Sequence, residues 1–290
     1  MSERIGVLIA VLSSSFGGTA GAVTRYVVGV IDPVTIAAFR FGIGVLVLLP
    51  IALAMKSPLP RGRDWIGVSC LGVAFFAVFF VFYNTAMGFT TAARGALALS
   101  TLPLWTMAIA ALLGAEPLNR RKALGVVIAV SGVGIALLAG LAAAPQDAWR
   151  GDLIMVAATV CMAFYNVWSR PFIARSSPLG FVTASMSAGA LCLVALAAAR
   201  GGFAVTQTFS GAQWIAVIYL GVFGGAAAFF LWVLALRLTT PTRVANTMTV
   251  NPIAASLLAV VLVGEPIGWN LLVGLIAVAL GIWIASTTTR

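Results

Sequence analysis

The sequence predicts an all-α integral membrane protein of ten transmembrane helices, built as two inverted five-helix repeats with both termini cytoplasmic. Three observations carry that expectation. First, 62% of the 290 residues are hydrophobic and only 8% are charged, with a mean hydropathy of +1.11. Soluble domains carry about 25% charged residues, so this chain lacks the polar side chains to cover a water-facing surface. Second, the apolar residues fall into ten runs of the length that spans a bilayer, about 20 residues of helix. Third, the chain repeats itself at an offset of 149 residues. Trp65 returns as Trp214, Gly72 as Gly221, Ala86 as Ala235 and Thr90-Thr91 as Thr239-Thr240. Arg94 returns as Arg243, Pro103 as Pro252 and Glu116-Pro117 as Glu265-Pro266. A soluble enzyme rarely takes this form, an apolar chain built as two copies of one bundle.

The ten segments follow from their punctuation. Segment 1 (5–30) begins after Arg4 and runs on through Ser13-Ser14-Ser15, too far for a cleaved signal core. Segment 2 (33–55) opens at Asp32-Pro33. Segment 3 (65–89) follows Ser57-Pro58, Pro60 and a charged turn. Segment 4 (92–114) ends before Glu116-Pro117, and segment 5 (119–140) ends before Pro145. Segment 6 covers 151–170, and segment 7 (179–199) opens after Pro178. Segment 8 (213–237) follows the longest connection, which holds Gly201-Gly202. Segments 9 (242–264) and 10 (268–287) mirror segments 4 and 5. With the N-terminus inside, the inner loops hold twelve Lys and Arg residues and the outer loops four. That bias puts both termini in the cytoplasm of a bacterial-type plasma (inner) membrane. Five is an odd number, so the copies, 1–145 and 146–290, enter the membrane in opposite directions. Arg94 and Arg243 are repeat mates, yet they fall on opposite sides.

Several function classes drop out. Histidine is absent, which removes His triads, His-ligated zinc and His proton relays. Cys70, Cys161 and Cys192 lie in separate apolar runs at no metal spacing, so neither metal nor cofactor is expected. The net charge of +10 sits in short loops and not on one face of a soluble domain, so nucleic acid is not the partner. The seven carboxylates, among them Glu116 and Glu265, all lie in loops or at segment ends. No acid stands mid-helix to couple protons, and no acid, base or metal set converges as an enzyme would need.

What remains is a small set of candidates. Pro103 and Pro252 each remove a helical hydrogen bond in segments 4 and 9, freeing the carbonyls of Leu99 and Met248. They are either gating hinges beside a central site or packing kinks. Segments 3 and 8 carry matched aromatics, Phe80 with Phe229 and Tyr83 with Trp232, and segment 6 adds Phe164, Tyr165 and Trp168. These rings either line a cavity or pack against lipid and core. Ser14, Asn84, Asn166, Asn246 and Asn251 either bond helix to helix or hydrate a cavity. Arg40 is the one clear cation within a span, about 10 Å in from Pro33. It either pairs with a substrate carboxylate or bonds a neighbouring carbonyl, the structural option being favoured. Gly125, Gly132, Gly274 and Gly281 are read as close-packing scaffold, and Glu116 and Glu265 as ties to the next helix.

Ten helices in two inverted copies, with Gly114-Ala115-Glu116-Pro117 and Gly264-Glu265-Pro266 turns after Pro-kinked segments 4 and 9, resemble the drug/metabolite transporter superfamily. The chain is similar to its EamA-type exporters over nearly all its length, and its aromatics look most like the aromatic amino acid exporter branch. The resemblance implies a central cavity lined by segments 1, 3, 4, 6, 8 and 9, with segments 5 and 10 at the periphery. It also implies export of neutral apolar or aromatic amino acids by alternating access. On that basis Phe79, Tyr83, Trp105, Trp168 and Trp232 are expected to form ring walls. Ser14, Asn84, Asn166 and Asn246 are expected to bond the substrate's ammonium and carboxylate. Export of lipophilic drugs or other metabolites, and a non-transporting membrane protein, are the alternatives. The expected partners are a small molecule and the lipid bilayer, and a complete pair of copies allows a monomer to suffice.

Overall fold

In a computed structural model of the chain, the described residues are 2–28, 30–90, 92–117, 119–136, 147–254 and 269–286. They are helical almost throughout, with no strand among them. Among the described residues, six helices are long and apolar enough to cross a membrane: Glu3–Thr24, Pro33–Ala54, Asp64–Phe89, Ala148–Arg175, Pro178–Ala199 and Gly211–Leu238. Shorter apolar helices cover Leu97–Leu112 and Leu272–Ala285. Leu46, Ile66, Leu112, Leu191 and Ile215 stand exposed on this bundle, which is stable only if lipid covers them.

The helices start where their caps sit. Asp32 is extended, and its carboxylate accepts from the Val34 and Thr35 amides at 3.0 and 3.2 Å, with Pro33 at the first helical position. Ser177 accepts from the Gly180 amide at 2.9 Å ahead of Pro178. Ser210 and Gln213 form a reciprocal capping box.

Two departures from regular helix recur in both copies. Val73–Phe79 and Leu220–Ala227 are π-helical, and residue 73 corresponds to 222 in the repeat. A π turn displaces carbonyls from the α pattern and is common at functional sites. The second departure is a break just before each proline. Ala92–Ser100 ends at Thr101, and Leu102–Leu112 restarts with Pro103 in its first turn. Pro241–Asn246 gives way to a 3₁₀ turn, Thr247–Thr249, before Pro252. The hydroxyls of Thr101 and Thr249 donate to the carbonyls of Ala98 and Asn246 at 2.6 and 2.7 Å. The threonines therefore serve neighbouring carbonyls and not those of Leu99 and Met248.

The scaffold glycines meet in cross-pairs. Helix Arg120–Ala136 packs antiparallel on Trp269–Ser286. A Cβ at Gly125 would lie 2.6 Å from the Gly281 carbonyl, and one at Gly132 would lie 3.0 Å from the Gly274 carbonyl. Gly125 is the mate of Gly274 and Gly132 of Gly281, so each touches the mate of the other. A two-fold relation produces this pairing. Phe80 and Phe229, themselves mates, stand edge to face at 5.8 Å. A residue touches its own mate only close to the axis that relates the copies. The rings of Phe41, Phe75, Phe76 and Tyr165 surround that pair, Phe75 stacking on Tyr165 at 4.2 Å. Glu265, Pro266, Pro145 and Arg290 lie outside the described residues, as does the side chain of Arg94.

Candidate functional site

A cavity of about 50 Å³ lies beside the Phe80–Phe229 pair. Phe75, Phe79, Phe80, Tyr83 and Phe229 form its aromatic wall, and Leu99 and Met248, another mate pair, sit beside the helix breaks. Gly17 and Gly21, one turn apart, line it from the first helix. Arg40 and Asn251 supply its polarity together with Tyr83, and no carboxylate lines it among the described residues. A cavity of about 150 Å³ admits benzene, so a ring-bearing ligand enters this one only when its walls move apart.

Arg40 is 6% exposed. Its Nε and Nη2 both donate to the Gly224 carbonyl, at 3.1 and 2.7 Å. Gly224 lies in the second π segment. The guanidinium stands 4.9 Å over the Phe80 ring, 5.7 Å over Phe41 and 5.9 Å over Phe229. Ring faces and a backbone carbonyl are the means of holding a cation at membrane depth. Arg40 thus bonds a carbonyl, the structural option, and lines the cavity as well.

The other expected residues fall into three groups. Phe79 and Tyr83 are in the cavity wall. Trp105 and Trp168 are absent from the cavity's lining and are 38% and 53% exposed. The remaining five are buried and tie helix to helix. The Ser14 hydroxyl lies 3.0 Å from that of Thr247, and Asn84 Nδ2 donates to the Pro33 carbonyl at 2.8 Å. Trp232 Nε1 donates to Asn166 Oδ1 at 2.9 Å, and Asn246 Nδ2 donates to the Gly281 carbonyl at 3.4 Å. Sequence reasoning passed over Gly17, Gly21 and Met162 as cavity residues. The Gly17–Gly21 spacing on an apolar helix was the available signal.

Charges cluster at the end of the bundle that carries the N-terminus. Arg243 Nη1 pairs with Glu3 Oε2 at 2.8 Å, and Arg243 Nε donates to the Ala285 carbonyl. Buried Glu116 takes Lys122 Nζ at 2.8 Å and the Thr242 amide at 3.1 Å. It therefore ties its turn to the next helix, as expected, and also caps Pro241–Asn246. Asp64 and Arg175 form a two-bond pair at 2.8 and 2.9 Å. The mate of Glu3 is Asp152, which accepts from the Thr90 hydroxyl at 2.8 Å.

The profile of the EamA-like transporter family matches twice, at residues 4–138 and 149–287. The chain belongs to that family. This EamA-family protein is a multi-pass membrane transporter, and its two family matches fall on the two copies seen in the sequence. It is 25% identical to the "uncharacterized transporter YyaM" of Bacillus subtilis, covering 99% of this chain and 96% of that one. It is 28% identical to a "probable terminal-alkyne amino-acid exporter" of Streptantibioticus cattleyicolor, covering 76% and 74%. A solved crystal structure superposes with a TM-score of 0.78 at 22% identity, over 98% of this chain and 96% of the other.

Proposed function

We propose that this transporter exports neutral apolar or aromatic amino acids by alternating access across a bacterial-type plasma membrane. Ten helices in two inverted five-helix copies, 1–145 and 146–290, would carry the cycle, with both termini cytoplasmic and the monomer as the working unit. The observation that carries this reading is the cavity at the axis between the copies. It offers five rings and one buried cation, and no acid among the described residues. Rings suit an apolar side chain, and a cation suits a carboxylate. The amino-acid exporter among the relatives supports the same class. Phe79 and Tyr83 serve as ring walls in this reading. Ser14, Asn84, Asn166, Trp232 and Asn246 hold the helices that position them, and the breaks at Pro103 and Pro252 are the hinges. A cationic drug finds Arg40 where it would need a carboxylate, so drug export is the weaker alternative.

The test is uptake into proteoliposomes containing only this protein, with labelled Phe, Trp, Met, Leu and Lys, with and without a pH gradient. Saturable uptake of the four neutral residues, with Lys excluded and the gradient without effect, is the expected result. Absence of amino acid flux, or equal flux of Lys, overturns the reading.

A further inference from the structure

Two polar groups in the cavity have bonding capacity that the fold does not use. Arg40 spends Nε and one Nη2 hydrogen on the single Gly224 carbonyl. A guanidinium has five N–H donors, and no other hydrogen bond of Arg40 occurs among the described residues. Asn251 is the complementary case. Its Nδ2 lies 3.0 Å from Met248 Sδ, a weak acceptor, and its Oδ1 is buried without a partner. An unsatisfied amide oxygen in an apolar interior is costly. Both groups line one cavity with the five rings. The first helix leaves room beside the amide because it carries glycine there: a Cβ at Gly17 would stand 3.0 Å from Asn251 Nδ2 and 3.3 Å from Oδ1.

We propose that Arg40 and Asn251 recognise the zwitterion of an α-amino acid, a deepening that rests on the export reading above. The substrate carboxylate takes the guanidinium N–H groups that Gly224 leaves free. The ammonium donates to Asn251 Oδ1, and the apolar side chain lies against the rings of Phe75, Phe79 and Phe80. A charged donor and a neutral acceptor in one apolar cavity reject molecules that lack either end, because the unmatched group stays unpaired. Arg40 belongs to the first copy and Gly224 to the second. The guanidinium that receives the carboxylate therefore also bridges the copies, and ligand arrival acts directly on their contact.

The experiment is counterflow of labelled Phe in proteoliposomes, competed by Phe, by 3-phenylpropionate, which lacks the ammonium, and by 2-phenylethylamine, which lacks the carboxylate. On the wild-type protein both analogues should compete about 10- to 100-fold more weakly than Phe, the worth of one charged hydrogen-bond set. Arg40→Lys should weaken Phe by a similar factor and leave 2-phenylethylamine unchanged. Asn251→Leu should weaken Phe and leave 3-phenylpropionate unchanged. Size-exclusion profiles check that each variant folds, and the wild-type analogue series decides the matter if one does not. Equal competition by Phe and 2-phenylethylamine on a protein that carries Phe overturns the zwitterion site alone. A wild-type protein that carries no amino acid overturns the export reading and the site together.

Discussion

Trp232 and Asn166 show what a polar side chain must do where water is absent. Both are buried, at 2% and 0% exposure, and the indole N–H meets Asn166 Oδ1 at 2.9 Å. Asn166 Nδ2 has no acceptor, so the indole supplies the one hydrogen bond of the amide side chain among the described residues. Trp232→Phe removes the donor and leaves both ends of the amide unpaired. Interhelical hydrogen bonds in membrane proteins are worth about 0.6–1.7 kcal/mol, so the variant should unfold at lower temperature in detergent by that order. Adding Asn166→Leu should recover part of the loss, because removing both partners costs less than stranding one. A double variant less stable than Trp232→Phe would assign the effect to ring packing.

At the scale of elements, glycine has opposite meanings at two positions. A Cβ on Gly281 would lie 2.5 Å from the Gly125 carbonyl and 2.6 Å from the Ala129 amide. Both are backbone atoms, so the helices Arg120–Ala136 and Trp269–Ser286 would have to separate. Gly281→Ala should therefore cost about 1–3 kcal/mol. Gly88 has nothing within 4 Å of its Cβ position and sits within Phe80–Phe89. Gly88→Ala should instead stabilise by about 0.5–1 kcal/mol, through the lower entropy of the unfolded chain. Thermal denaturation of the two variants should shift in opposite directions, and a shared direction would refute the close-packing account of Gly281.

At the scale of the molecule, the copies are tied at one end by charge. Glu3 to Arg243, and Glu116 to Lys122 and the Thr242 amide, join the first helix, the turn after Leu102–Leu112 and the start of Pro241–Asn246. On the alternating-access reading these contacts close the N-terminal end and must break in the other state. Glu116→Gln keeps an acceptor for Thr242 but loses the attraction of Lys122. In a background without native cysteines, Met248→Cys in the cavity should then react several-fold faster with an impermeant maleimide applied from the cytoplasmic face. Asp152→Asn, at the mate of Glu3, should favour reaction from the opposite face. Unchanged labelling in both variants would remove these charges from the gating account.

How much of this was legible before folding differs by feature. Asp32-Pro33 and Pro178 announce helix starts through local backbone chemistry, which needs no tertiary contact. The repeat announced that Gly125 and Gly132 would matter as their mates do. Which face of a helix looks inward was not legible. In lipid, outer and inner faces are both apolar, so the 3.6-residue pattern that marks a core face in water fades. Trp105 and Trp168, expected as ring walls, do not line the cavity beside the Phe80–Phe229 pair. The π segments added a second obstacle, since a wider turn shifts the register of Phe75, Phe79 and Phe80. By itself the sequence determined a lipid-solvated, twice-repeated chain, because composition and periodic punctuation are sums over local properties. Only the tertiary structure decided that Arg40 reaches across to Gly224 and shares a cavity with Asn251. Arg40 is separated from both by more than half the chain, and their meeting depends on how two copies cross.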